Sequence, residues 1–287
     1  MTTKRILQHM SDTVSSGKLV TLNIPGFDTV YQLGLTFENS GAPATLANII
    51  SSVQTITLLV NGEQMVNVSA DHIAKVWTAL GTQVGGTLVN SLPILLPGLI
   101  YKLPEAEDAA GGIGCDRFTQ GAPVSNIQIQ IQFGTVTGVD SVRAYSERAD
   151  LGTGANVTRA VCKLLSYFKG FTTVGTDEYD SLPRDSDMGR LFTLAIPDAT
   201  GVISKGESYV NNDPIIQNCD IATNQMFCME RGFGAVSGVF CYLYSDGGTF
   251  NLLSMKNVND ARVKTTFSTA PATGYWLVDS TIRSLVG

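Results

Sequence analysis

The second half of this chain restates its first half, and that constrains the fold more than any other feature of the sequence. The stretch Val60 to Asp71 (VNGEQMVNVSAD) has a counterpart 150 residues later in Val210 to Asp220 (VNNDPIIQNCD). Each reads as a strand, an Asn-led turn, a second short strand and a segment capped by Ser or Asp. Upstream, Tyr31 to Phe37 followed by Asn39-Ser-Gly41 parallels Arg190 to Ile196 followed by Asp198 to Gly201. Downstream, strands at 127–133 and 139–145 parallel those at 261–267 and 274–279. The order of elements is kept while the loops change length. Two β-barrels of similar build are therefore expected, with their junction near 146–156: an N-terminal arm plus the first barrel over 1–148, and the second barrel over 149–287.

Strand signals dominate the rest of the chain. Leu19 to Ile24 closes at Pro25-Gly26, and Thr55 to Val60 meets Asn61-Gly62, the strongest short hairpin signal. Ile127 to Phe133 (IQIQIQF) alternates strictly, which predicts a half-buried strand with Gln on its outer face. Helical spacing is rarer. Ile6, Leu7, Met10 and Val14 predict a short amphipathic helix over 4–14, and Ile73, Val76, Trp77 and Leu80 predict one over 70–80 behind Ser69. From Val157 the spacing predicts a helix that turns into a strand near Ser166, and 104–125 reads as a long surface loop. Many short strands between Gly, Pro and Asn turns give an all-β chain, a β-sandwich or jelly roll repeated in tandem with a few short helices.

Catalytic and binding motifs are sparse. A net charge of −6 without a Lys/Arg cluster argues against nucleic-acid binding. The longest apolar run, Ser91 to Tyr101, holds two prolines and falls short of the ~20 residues that span a bilayer. No apolar stretch follows Lys4 and Arg5, so no secretory signal is expected and synthesis in the cytoplasm is. The five cysteines, an odd number without a CxxC pair, predict small buried side chains. Neither His9 nor His72 sits in a metal spacing, and His72 is expected on a helix surface. Loop carboxylates are all that remains for catalysis: Glu105, Glu107 and Asp108 in one loop, Asp177, Glu178, Asp180, Asp185 and Asp187 in another. The second set is a candidate Ca²⁺ loop, without EF-hand spacing. A carbohydrate-binding or glycoside-hydrolysing β-sandwich would need two such carboxylates in an aromatic-lined cleft, and it stands as the alternative function. A receptor-binding spike is a further rival.

The residues also carry a family resemblance. Phe168-Lys169, Gly175 to Glu178, Asp180, Leu182 to Arg184 and the strand Gly189 to Ile196 resemble the entry to the second barrel of corticovirus-type major capsid proteins. Leu19 to Ile24, Val30 to Phe37 and Thr55 to Met65 are similar to the matching strands of the first. The resemblance implies a double jelly roll without catalytic residues or cofactors, built as homotrimers of pseudo-hexagonal outline. These would tile the icosahedral shell of a tailless bacteriophage with an internal membrane, beside vertex proteins and membrane proteins. It also implies that Lys4, Arg5, Ile6, Leu7 and Met10 form a membrane-proximal arm. Only 15% of the residues are charged. A surface meant to be covered explains this, and the charges are then expected in the loops and the junction, with the barrel sides nearly free of them.

Overall fold

The structure, a computed structural model, describes residues 5–26, 28–80, 90–95, 113–114, 124–149, 160–185, 188–198, 201–244 and 253–284. The chain divides into two compact units, residues 1–74, 84–163 and 284–287 in the first and 75–83 and 164–283 in the second.

The first unit is a pair of antiparallel sheets. One orders its strands β6 (Glu63–Val68), β5 (Val53–Val60), β9 (Ile127–Phe133) and β2 (Leu19–Ile24). The other places β10 (Ser141–Ala149) between β1 (Arg5–Thr13) and β3 (Thr29–Asn39). Three short strands share the far edge of β3: β8 (Ile113–Gly114) at Thr29 and Val30, β7 (Ser91–Leu95) at Leu33 to Thr36, and β4 (Ala42–Pro43) at Glu38 and Asn39. Neighbours so distant in sequence make this a jelly-roll topology rather than a meander. Period-2 alternation builds the core, because alternate residues point to opposite faces. Val20, Leu22 and Ile24, then Ile56, Leu58 and Val60, then Ile127, Ile129, Ile131 and Phe133 are all buried, as are Leu33, Leu35 and Phe37 of the second sheet.

The second unit repeats this order. One of its sheets runs β12 (Gly175–Tyr179), β18 (Ala261–Thr269), β14 (Val202–Val210) and β15 (Asp213–Asp220). Its other sheet places β19 (Tyr275–Ser284) between β11 (Ala160–Lys169) and β13 (Met188–Pro197), with β16 (Phe240–Leu243) and β17 (Leu253–Ser254) on the far edge of β13. Ala195, Ile203, Phe240, Tyr242, Val263, Phe267, Tyr275 and Leu277 form its core. Inside it, Arg190 and Asp279 pair at 2.9 Å with side chains 1% and 2% exposed. Thr193 donates to the same carboxylate at 2.7 Å, and Arg190 also reaches the Pro183 carbonyl at 2.7 Å.

The internal repeat holds at the level of single turn residues. Asn61 and Gly62, and Asn211 and Asn212, all adopt positive φ, as the two central residues of a type I′ hairpin must. The Asn61 side chain accepts from the Ser125 and Asn126 N–H groups, and Asn211 accepts from those of Asn259 and Asp260. Each turn is thus tied to the residues just before β9 or β18. Each hairpin then runs into a helix: α2 (Ala70–Ala79), whose His72 N–H is accepted by Ser69 Oγ, and α3 (Ile221–Glu230), capped by Asp220. A short helix α1 (Leu46–Ser52), capped by Thr45, has no expectation behind it in the sequence.

Three expectations are corrected. Residues 5–13 are not helical; they form β1 on the edge of β10, and the ladder pairs the backbone groups on the side that faces β10. Leu7 and His9 turn inward, while Ile6 and Met10 stay outside at 76% and 89% exposure. Residues 160–169 are strand throughout, because β11 pairs along β19 and Leu164 and Leu165 fall on opposite faces, the first buried and the second half-buried. Residues 157–159 lie outside the described residues. His72 is buried rather than on a helix surface, since α2 packs on most of its circumference, Ile73, Val76 and Trp77 included.

Candidate assembly surfaces

On β9 the inward residues are Ile127, Ile129, Ile131 and Phe133, which leaves Gln128, Gln130 and Gln132 outward, opposite Asn23, Thr21 and Leu19 of β2 and Leu59, Thr57 and Thr55 of β5. These uncharged side chains are bonded along β9, to β2 and to the backbone beside it. Gln128 Nε2 donates to Asn23 Oδ1 at 3.0 Å, Gln130 Nε2 to Gln128 Oε1 at 2.8 Å, and Gln132 Nε2 to the Gly17 carbonyl at 3.2 Å. Where this sheet does carry charge, Glu63 is paired with Lys163 at 2.5 Å. A face whose polar groups are already mutually satisfied loses little on dehydration.

The equivalent face of the second unit has the opposite chemistry. With β9 and β18 aligned through their turn contacts, Gln128, Gln130 and Gln132 correspond to Arg262, Lys264 and Thr266. Glu178 bridges to Lys264 at 3.2 Å and to Arg262 at 3.5 Å, and both cations lie over the Tyr209 ring, whose hydroxyl donates to Glu207 at 2.8 Å. The expectation that barrel sides are nearly free of charge therefore fails here. Outward positions of a hydrated strand hold charge without desolvation, and this sheet uses them for an ion-pair network.

The arm residues belong to β1. Arg5 pairs with Asp28 at 2.6 Å, Ile6 and Met10 project outward, Leu7 is half-buried, and Lys4 lies outside the described residues. On the inward side His9 Nε2 lies 2.9 Å from Ser146 Oγ, which also accepts from Arg148 Nε at 2.8 Å. Burial first, then the Arg148 charge, lowers the His9 pKa.

The candidate Ca²⁺ loop does not converge. Asp177 accepts from the Tyr275 hydroxyl at 2.9 Å, whereas Glu178, next along β12, turns to the opposite face and its cations. Asp180 accepts from the Ser181 hydroxyl at 3.0 Å; Asp185 offers its backbone carbonyl to Met188. Asp187 lies outside the described residues, as do Glu105, Glu107 and Asp108. Among the described residues, no group of three His, Cys, Asp or Glu side chains could hold a metal ion. No described helix is long and apolar enough to cross a membrane.

No family model matches the chain, and no curated protein is significantly similar to it. Solved structures do resemble it. The crystal structure of the major capsid protein P2 from bacteriophage PM2 superposes with a TM-score of 0.77 at 12% identity, covering 98% of each chain. The atomic structure of Sulfolobus Turreted Icosahedral Virus gives 0.66 at 12% identity, covering 97% of this chain and 90% of that one. The PBCV-1 virus capsid gives 0.62 at 10% identity, covering 98% and 93%. Likeness over both units at such low identity is a likeness of architecture, and the two matching barrels agree with it: the chain folds as a double jelly roll.

Proposed function

We propose that this chain is the major capsid protein of a tailless virus, self-assembling as pseudo-hexagonal homotrimers into an icosahedral shell around an internal membrane. The observation that carries the reading is the duplicated barrel, aligned over 98% of the chain with a phage major capsid protein. Barrels at 1–148 and 149–287 would supply two of the six in each trimer, and a ring of three copies closes by heterologous contacts between different faces. The uncharged face of β2, β9 and β5 that carries Gln128, Gln130 and Gln132 is the side we assign to contact between copies. The arm, Lys4 to Met10, would lie nearest the membrane, with Ile6 and Met10 as its apolar contacts. Further partners would be a vertex protein and membrane proteins of the particle, with synthesis in the host cytoplasm before incorporation into the virion.

Sedimentation and light scattering of the purified chain test this directly. The expected particle is three times the 30.6 kDa chain or larger, with a three-fold, six-lobed outline in negative-stain micrographs. A stable monomer whose melting temperature rises with added oligosaccharide would replace this reading with the carbohydrate-binding one.

A further inference from the structure

Among the described residues, three strands of six residues or more stand at the edge of a sheet: β1, β2 and β15. Two of them are guarded against further pairing. β1 carries Arg5 and Asp12 and breaks register between Gln8 and Ser11, while β15 carries Asp213, Pro214 and Asp220 and breaks register twice against β14. Charge, proline and bulges are the usual guards of an open edge. β2 has none of them: Leu19 to Ile24 (LVTLNI) is uncharged, lacks proline and runs along β9 in unbroken register.

The free backbone of β2 can be assigned residue by residue. The Phe133 N–H donates to the Lys18 carbonyl at 3.0 Å, and on the other side of β9 the Asn61 N–H donates to the Asn126 carbonyl at 2.8 Å. Hydrogen-bonded pairs alternate along an antiparallel ladder, so Val20, Leu22 and Ile24 turn their backbone groups to β9, and Leu19, Thr21 and Asn23 turn theirs to the open edge. Nothing among the described residues bonds to these outward groups. All three residues are exposed, Leu19 at 53%.

We propose that β2 pairs with β2 of a second copy of the chain, antiparallel about a two-fold axis at Thr21. Thr21 then faces the partner's Thr21, a favourable cross-strand pair, and Leu19 faces the partner's Asn23. Each of these pairs exchanges two backbone hydrogen bonds. Sliding by two residues either way would set an outward residue against Gly17, whose N–H already donates to the Gly134 carbonyl, or against Pro25, which has no N–H. Charge selects the partner strand. β1 and β15 would bring uncompensated charges to this edge, whereas β2 brings none, and the adjoining Lys18 is held by Asp12 at 3.0 Å. The contact continues the sheet of β6, β5, β9 and β2 into the second copy. Being two-fold, it would join one ring of three to the next, yet it needs only two copies and stands whether or not three close into a ring.

Disulfide trapping of the full-length chain tests the register. Thr21→Cys, oxidised by copper phenanthroline in air, should run as a covalent dimer on non-reducing gels, because residues opposed in a hydrogen-bonded pair have Cα atoms about 5.5 Å apart, within disulfide reach. Asn23→Cys alone should link about tenfold more slowly, because only directly opposed sulfurs gain a high effective concentration. Mixing Asn23→Cys with Leu19→Cys should restore the fast rate, in the heterodimer. Raising the salt from about 0.1 to 1 M should leave these rates unchanged, since no charge crosses the contact. Selective linking of Thr21→Cys supports the pairing even where the parent chain does not sediment as a trimer, so the two readings fail separately. Thr21→Cys dimers that form no faster than those of Asn23→Cys or of the parent chain would overturn the proposal.

Discussion

Asp279 is a carboxylate that the core of the second barrel tolerates only because of its partners. Arg190 meets both of its oxygens and Thr193 donates a hydroxyl, so the charge is matched and its lone pairs are occupied. Burial holds the Tyr244 pKa up to about 12, against the lowering pull of the Arg190 charge and with help from that of Asp279, as expected of a wall with little water. Removing one partner strands the other. We predict that Asp279→Ala costs about 3–5 kcal/mol by urea unfolding, and that Arg190→Met with Asp279→Leu costs much less because no charge is left buried. Equal losses in the two variants would show that packing, rather than charge pairing, holds this site. Neither residue was marked by the sequence, since an Arg and an Asp separated by 89 positions show no pattern until β13 and β19 pair. Asn61 and Asn211 were legible because a turn that needs positive φ at both central residues restricts the choice to Asn, Asp and Gly.

Among the elements, legibility followed local self-sufficiency. β2, β3, β5, β6 and β9 could be read because alternation and turn residues specify them without outside help, and α2 because Ser69 caps an apolar stripe. β1 and β11 could not. Their apolar residues fit a helical spacing nearly as well as an alternating one, and the partner strand decides: β10 offers β1 an unpaired edge over nine residues. The seven-residue α1 is too short to leave a periodic signature. The docking of β1 carries its own pH dependence. His9 has a folded pKa below its ordinary 6.5, so the docked strand binds fewer protons than the detached one. The contribution is fully present above about pH 6.5 and is lost as the pH falls from there through the folded pKa. Hydrogen exchange of the β1 amides, corrected for intrinsic rates, should show protection falling between pH 7.5 and 5.5, while His9→Gln should remove that difference. Unchanged protection in the parent protein would mean that His9 does not anchor the strand.

At the scale of the whole molecule, equivalent outward faces of the two barrels carry charge unequally. Duplication kept the strand order and the turn contacts, yet the outward residues of equivalent strands diverged into a neutral ladder on one barrel and an ion-pair network on the other. The sequence exposed the duplication because turns and alternation are local. It did not show the divergence, because which strands share a face depends on pairings such as β2 with β9 and β12 with β18. If copies of the chain meet through the neutral ladder, each Gln there leaves water at assembly, and a lysine in its place would bring an uncompensated charge into the contact. Gln128→Lys with Gln130→Lys should therefore leave the melting temperature of the isolated chain within a few degrees, since both side chains are half-exposed there, yet shift the sedimenting species from trimer to monomer. Lys264→Gln, which removes charge from the corresponding position of the other barrel, should leave the trimer intact. Trimers that persist in the double lysine variant would place the contact on another face, and the charged sheet of the second barrel would become the next surface to alter.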